Sequence, residues 1–276
     1  MIKDIVLALE VGSARDAARD YAISISAAFN SHIAAIGFAY EPTMPPADTV
    51  SAVPFDILDA ERETNRKAAS DAIARFEEAA RLAAVSAESR LVEASVSGAT
   101  NVFGSIARSF DLSVVGQAEP KSMRDGLMIE GALFDSGRPV LVVPYIQRAG
   151  LKLDRVMVCW DGSRNAARAI NDAMPFLSSA KAVDVVTISA GKDSSGEIKG
   201  FDIAQHLARH GLNVELRRIN AGDVDVPNVI LSDAADRDAD LIVMGGYGHS
   251  RLREFVLGGA TRGILASMTV PTLMSH

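Results

Sequence analysis

The chain has 276 residues and a formal net charge of −7, from 28 Lys and Arg against 35 Asp and Glu, with 48% hydrophobic and 23% charged residues. Those proportions are typical of globular proteins and exclude disordered, collagen-like and low-complexity chains; the acidic balance, with no Lys/Arg cluster to track a phosphodiester backbone, argues against nucleic acid as a partner. The single cysteine, Cys159, excludes an intrachain disulfide and a thiolate metal cluster, and its apolar surroundings predict an inert buried thiol.

At roughly 150 residues per domain the length fits one large domain or two small ones. Met1-Ile2-Lys3-Asp4 carries an acid early and passes directly into a strand-like run, unlike a signal peptide. No stretch reaches the ~18–20 apolar residues that span a bilayer. A cytoplasmic protein without a membrane partner is expected. Residues 5–9 form a short branched apolar run suited to a buried parallel strand. Gly12-Ser13 interrupts it, and 14–29 reads as an Ala-rich helix. A strand is predicted over 33–38, followed by a Pro-rich connection through Pro42, Pro45, Pro46 and Pro54. Helix follows over 56–85, with Ile73, Phe76, Ala80 and Ala83 on one face. Further strands are expected over 91–96, 112–115 and 140–143, with a helix over 102–108 between the first two. Such alternation means βαβ units and a parallel sheet.

The second half repeats this programme. A strand over 156–160 leads into Asp161-Gly162-Ser163 and a helix over 165–176 capped by Ser163. Strands follow at 183–188, 214–219, 241–244 and 270–274. Helices are predicted over 203–209, ending at Gly211, and over 229–235. Val11-Gly12-Ser13 aligns with Asp161-Gly162-Ser163, Asp111-Leu112-Ser113-Val114-Val115-Gly116 with Asp240-Leu241-Ile242-Val243-Met244-Gly245, and Arg138-Pro139-Val140-Leu141 with Val270-Pro271-Thr272-Leu273. The chain is therefore an internal duplication, with units at 1–147 and 151–276 joined near Arg148-Ala149-Gly150. The final strand is expected to pair with its counterpart at 140–143.

In an open parallel sheet, ligands bind beyond the carboxyl ends of the strands where strand order reverses. Two segments of the second half lie at such ends: Trp160-Asp161-Gly162-Ser163, and the Gly-rich run from Gly245-Gly246-Tyr247-Gly248 to Gly258-Gly259-Ala260. Glycine admits close backbone approach to an anion, and Gly258-Gly259 precedes a predicted helix over 260–268 whose first turn offers unpaired N–H groups. His249, Arg251 and Arg253 are candidate cations, although such side chains commonly face solvent. The pattern is neither a P-loop nor G-x-G-x-x-G, so the residues leave phosphate binding and plain turns both open. Of five histidines, only His206 and His210 fall four apart on a helix, without a carboxylate motif, and no metal site is expected.

Gly245-x2-Gly248-x9-Gly258 after a strand ending in Val243-Met244, together with a first strand ending at Asp161-Gly162-Ser163, resembles the nucleotide-binding signature of the universal stress protein family. The similarity spans both halves, as in a tandem member. It implies two Rossmann-like five-stranded α/β domains of the adenine nucleotide alpha hydrolase-like kind, packed as an intramolecular pseudo-dimer. It further implies ATP with Mg²⁺ in the second half. Asp161 would lie by the ribose and adenine, and the backbone near Ile188 would flank the base. Met244 and Gly245 would line the ribose, with Gly248, Gly258, Gly259 and Ala260 on the phosphates. The family carries Ser or Thr where this chain has Gly259, a lost hydroxyl contact of ~1.5–3 kcal/mol. In the first half Val11 replaces Asp161, and Gln117-Ala118-Glu119-Pro120 replaces Gly246-Tyr247-Gly248-His249, so residues 1–147 are expected not to bind nucleotide.

The function expected from this resemblance is a stress-response protein whose ATP-bound state alters contact with a regulatory protein partner. No catalytic residue is assigned, since no general base faces a γ-phosphate and any hydrolysis would be slow. The alternatives are a nucleotide-free interaction scaffold and an ATP-cleaving or adenylyl-transferring enzyme. Association into a homodimer is also expected.

Overall fold

The computed structural model describes residues 1–13, 15–42, 55–118, 123–189, 202–246 and 259–276. In the first half the strands are β1 (Asp4–Ala8), β2 (His32–Tyr40), β3 (Ser86–Ala94), β4 (Leu112–Gly116) and β5 (Val140–Val143). Its helices are α1 (Ala17–Phe29), α2 (Phe55–Leu82), α3 (Val96–Ala107) and α4 (Met123–Glu130), the last running into a π-helical turn, Gly131–Asp135. The second half contributes β6 (Arg155–Cys159), β7 (Ala182–Ser189), β8 (Val214–Asn220), β9 (Leu241–Gly245) and β10 (Thr272–Ser275). Between them lie α5 (Arg164–Leu177), α6 (Ile203–Arg209), α7 (Val226–Asp236) and α8 (Gly259–Ser267). Among the described residues no helix is long and apolar enough to cross a membrane.

Among the described residues ten strands join in one sheet, ordered β3-β2-β1-β4-β5-β10-β9-β6-β7-β8. Neighbours are parallel throughout except β5 and β10, which run antiparallel with Val142 opposite Thr272, Leu141 opposite Leu273 and Val140 opposite Met274. This is the pairing expected of the final strand, and it makes the molecule two Rossmann-like units joined edge to edge about a pseudo-twofold axis. Matching hydrogen bonds recur on both sides. Asp111 Oδ2 accepts from the backbone N–H of Lys3 and Asp4 at 2.7 and 3.2 Å, as Asp240 Oδ2 does from Asp154 and Arg155 at 2.8 and 3.1 Å. The N–H of Gln117 reaches the Val143 carbonyl at 2.8 Å, and that of Gly246 the Ser275 carbonyl at 2.8 Å.

The central strands carry branched apolar residues on both faces because helices cover both faces. One apolar layer packs α1, α2, α5 and α6 on the sheet, the other α3, α4 with its π turn, α7 and α8. The edge strands β3 and β8 instead place charges at Glu88, Arg90, Glu215 and Arg217, which discourages pairing with other chains. For the same reason the apolar run expected at 91–96 misplaces β3. Ser95 ends that strand, its Oγ accepting from Gly98 N–H at 3.2 Å, and α3 starts six residues before the expected 102. Helix α1 starts at Ala17 because the buried Asp16 caps it, accepting from Arg19 N–H at 2.8 Å. Ala83 is exposed beyond the end of α2, and Ala69 and Ala72 complete the buried face instead.

Helix α4 and its π turn were not anticipated. Their position depends on glycine: a Cβ on Gly104 of α3 would come within 2.9 Å of the Gly131 carbonyl oxygen, and one on Gly131 within 2.8 Å of that of Thr100. Ser163 caps α5 as expected, accepting from Ala166 N–H at 3.1 Å, and Gly211 follows α6 at φ +80°. Of the Pro-rich connection, residues 43–54 lie outside the described residues.

Leu141 is fully buried opposite Leu273 at the seam. Leu141→Ala is expected to cost ~2–5 kcal/mol. Because one sheet joins the halves, urea unfolding followed by circular dichroism and by Trp160 fluorescence should shift by the same amount; a shift in the first signal alone would contradict this coupling.

Candidate functional site

Strand order reverses between β6 and β9, since β6 pairs with β7 on one side and β9 on the other. The crevice beyond their carboxyl ends is the site expected of such a sheet. Trp160, Asp161, Gly162 and Ser163 turn from β6 into α5, and the turn needs Gly162 at φ +75°. Asp161 is exposed at the mouth, its Oδ1 accepting from Ser163 N–H at 2.9 Å. The loop thus holds the carboxylate in one orientation before any ligand arrives.

Across the crevice, β9 delivers Met244 and Gly245. A Cβ on Gly245 would lie 2.7 Å from the Ala166 nitrogen, so only glycine lets the start of α5 sit against the end of β9. Asn165 reinforces that junction: its side-chain amide donates to the Gly246 carbonyl at 2.6 Å and lies 3.1 Å from His276 Nδ1. Ile188, at the end of β7, shares one apolar cluster with Cys159, Ile219 and Met244. Asp161, Ile188, Met244 and Gly245 are therefore all carried to this edge. Gly259 and Ala260 form the first turn of α8, which begins at Gly259 rather than after it. Because β9 and β10 are parallel, the helix joining them starts at the carboxyl edge of the strands. A Cβ added to Gly259 would meet no atom of the described residues within 4 Å. Gly248, Gly258, His249, Arg251 and Arg253 lie outside the described residues.

The matching crevice of the first half, between β1 and β4, is built differently. Glu10, which follows β1, projects its carboxylate over the end of β4, where a Cβ on Gly116 would collide with Glu10 Oε1. Behind it Asp16 accepts from the N–H of Glu10 at 2.9 Å, and burial raises its carboxyl above the usual range. The alignment places Glu10 opposite Trp160, a difference legible in sequence as an acid ending the first apolar run. The Asn165–Gly246–His276 contacts carry no such signal, because they join residues 81 and 111 positions apart. Among the described residues no cluster of His, Cys, Asp and Glu could hold a metal ion. His206 and His210 only pack their rings together, at 4.8 Å between centroids.

Residues 152–276 match the family model of the universal stress proteins. A curated universal stress protein of Synechocystis sp. is 24% identical over 170 residues, which span 59% of this chain and 57% of the relative. The chain thus spans under two thirds of that relative's length. The crystal structure of a universal stress protein from Archaeoglobus fulgidus superposes with a TM-score of 0.72 at 17% identity, covering 99% of this chain and 97% of that one. A Pseudomonas aeruginosa protein of unknown function superposes with a TM-score of 0.61 at 14% identity, covering 99% and 92%. At these identities the two structures establish the fold.

Cys159, expected to be fully buried, is only half-buried beside the crevice; desolvation, with Asp161 and Asp233 nearby, pushes its thiol up to about 12. A thiol this weakly acidic stays protonated at pH 8. Native protein should therefore react with a disulfide reagent at least tenfold more slowly at that pH than the unfolded chain does, with one equivalent released in all; equal rates would mean that the fold does not suppress the thiolate.

Proposed function

We propose that residues 152–276, which match the universal stress protein family model, bind ATP while the first half does not. The observation that carries the reading is the contrast between the two switch points. In the first half the Glu10 carboxylate stands over the end of β4 and repels an anion. In the second, the crevice is edged by Asp161, Ile188, Met244 and Gly245, and the first turns of α5 and α8 open on the same edge of the sheet.

In this reading the Asp161 carboxylate accepts from the ribose hydroxyls, the backbone near Ile188 flanks the adenine, and Met244 with Gly245 lines the sugar. The backbone N–H groups of Gly248, Gly258, Gly259 and Ala260 hold the phosphates, where the positive end of the α8 dipole adds to their attraction. Mg²⁺ would enter on the phosphate oxygens. Binding rather than turnover is proposed, with the bound state altering contact with a regulatory protein partner.

Calorimetric titration of MgATP into protein unfolded and refolded to strip carried-over ligand is expected to give one site per chain. Asp161→Ala and Gly248→Glu should each weaken it tenfold or more. Two sites would refute the silent first half. No heat at millimolar ATP, with no nucleotide released by unfolding, would replace this reading with a ligand-free scaffold. Gly259→Ser tests the missing hydroxyl. Among the described residues nothing crowds its side chain, and one hydrogen bond to phosphate at ~1.5 kcal/mol should tighten ATP about tenfold.

A further inference from the structure

Beyond the β5–β10 seam, the contacts across the pseudo-twofold axis include one pair at matched positions. Gln117, which follows β4, is the counterpart of Gly246, which follows β9; Leu133 in the π turn is the counterpart of Leu265 in α8. Each contact joins the residue after a strand of one half to the helix of the other. Gln117 Nε2 donates to the Leu265 carbonyl at 2.9 Å. Gly246 packs under Leu133, so closely that a Cβ there would lie 2.8 Å from Leu133 Cδ2.

The two contacts differ in chemistry because the halves have diverged. Leu265 lies in the last turn of α8, where the carbonyls have no intrahelical partner, and the Gln117 amide satisfies one of them. Gln117 itself is 4% exposed, and its Oε1 has no partner among the described residues. Its amide orientation is therefore set by the donation to α8. At nine residues α8 spans about 13 Å, short enough to move as a rigid rod. Meanwhile the first half also grips the start of the β9–α8 loop. Leu133 lies against Gly246, and the Phe134 ring stands edge-on to the His276 ring, 5.0 Å between centroids, while His276 Nδ1 lies 3.1 Å from the Gly246 carbonyl.

We propose that Gln117 is a positioning residue for the nucleotide site of the opposite half: by anchoring the C-terminal end of α8 it fixes where the N-terminal turn of that helix meets the phosphates. The first half, without a ligand of its own, supplies the fixed support of the second half's cradle. The inference rests on the ATP-binding reading above and deepens it.

The test compares MgATP with adenosine, which lacks the phosphates, on the full chain. Gln117→Met removes the donor at similar volume. It is expected to weaken MgATP fivefold or more while leaving adenosine affinity within twofold. Equal losses for both ligands would reduce Gln117 to a structural role, and no loss for either would overturn the proposal. Hydrogen exchange on the unaltered protein gives a second readout. MgATP, but not adenosine, should slow amides 131–136 of the first half together with 259–268 of the second. Slowing of 259–268 alone would also overturn it. If the unaltered protein binds neither ligand, it is the nucleotide reading that fails.

Discussion

The antiparallel pairing of β5 with β10 is the constraint on which the rest of the molecule depends. A five-stranded α/β unit ending in a fully apolar strand has an edge that water cannot satisfy without exposing Val140, Leu141, Val142 and Val143, all of them completely buried here. Pairing that edge with its duplicate closes both at once and, among the described residues, leaves β3 and β8 as the outer strands, where charged residues make further pairing unfavourable. Because the partner strands are antiparallel, the two carboxyl edges face in opposite directions. Each crevice is therefore flanked by a helix connection from the other half.

Duplication followed by divergence explains the asymmetry between two units that share a backbone plan. Both keep the aspartate that ties the first strand to the fourth, Asp111 in one and Asp240 in the other, since each satisfies two backbone N–H groups at a strand start. They differ where no such structural demand applies. Glu10 stands opposite Trp160, and Gln117 opposite Gly246. The second half has also acquired a charged cluster at the start of its sheet. Asp184, 1% exposed, accepts from Arg155 Nη1 at 2.7 Å and from Arg237 Nε at 3.1 Å, so that a buried carboxylate is fully compensated. Removing one arginine from such a site leaves a charge without its partner, which is why these residues act as a unit.

A strand buried on both faces announces itself as a run of branched residues, and β1, β4, β5, β6, β9 and β10 were all legible for that reason. An edge strand does not: β3 alternates charge with partial burial, so its start at Ser86 carries no apolar signal. Helix α4 and the π turn were equally silent, because their place follows from two glycines that let α3 approach rather than from periodicity. Within the candidate site, the placement of Asp161 and Gly245 at strand ends was readable from the apolar runs before them, while Met244 and Ile188 were named only through the family resemblance. Glu10 over Gly116 was readable only once the two halves were aligned, and the cross-axis pair of Gln117 and Leu265 was not readable at all.

By itself the sequence determined the α/β class, the duplication, the seam between strands 140–143 and 270–274, and the segments that end at a switch point. Each follows from local apolar patterning, capping residues and repeat alignment, which depend on near neighbours in the chain. Only the tertiary structure decided which carboxylate stands over which strand, and which half supports which helix. Gln117 and Leu265 are 148 positions apart, and no periodicity in either segment encodes their meeting. It arises from the twofold relation that the β5–β10 seam imposes, once both sheets are complete.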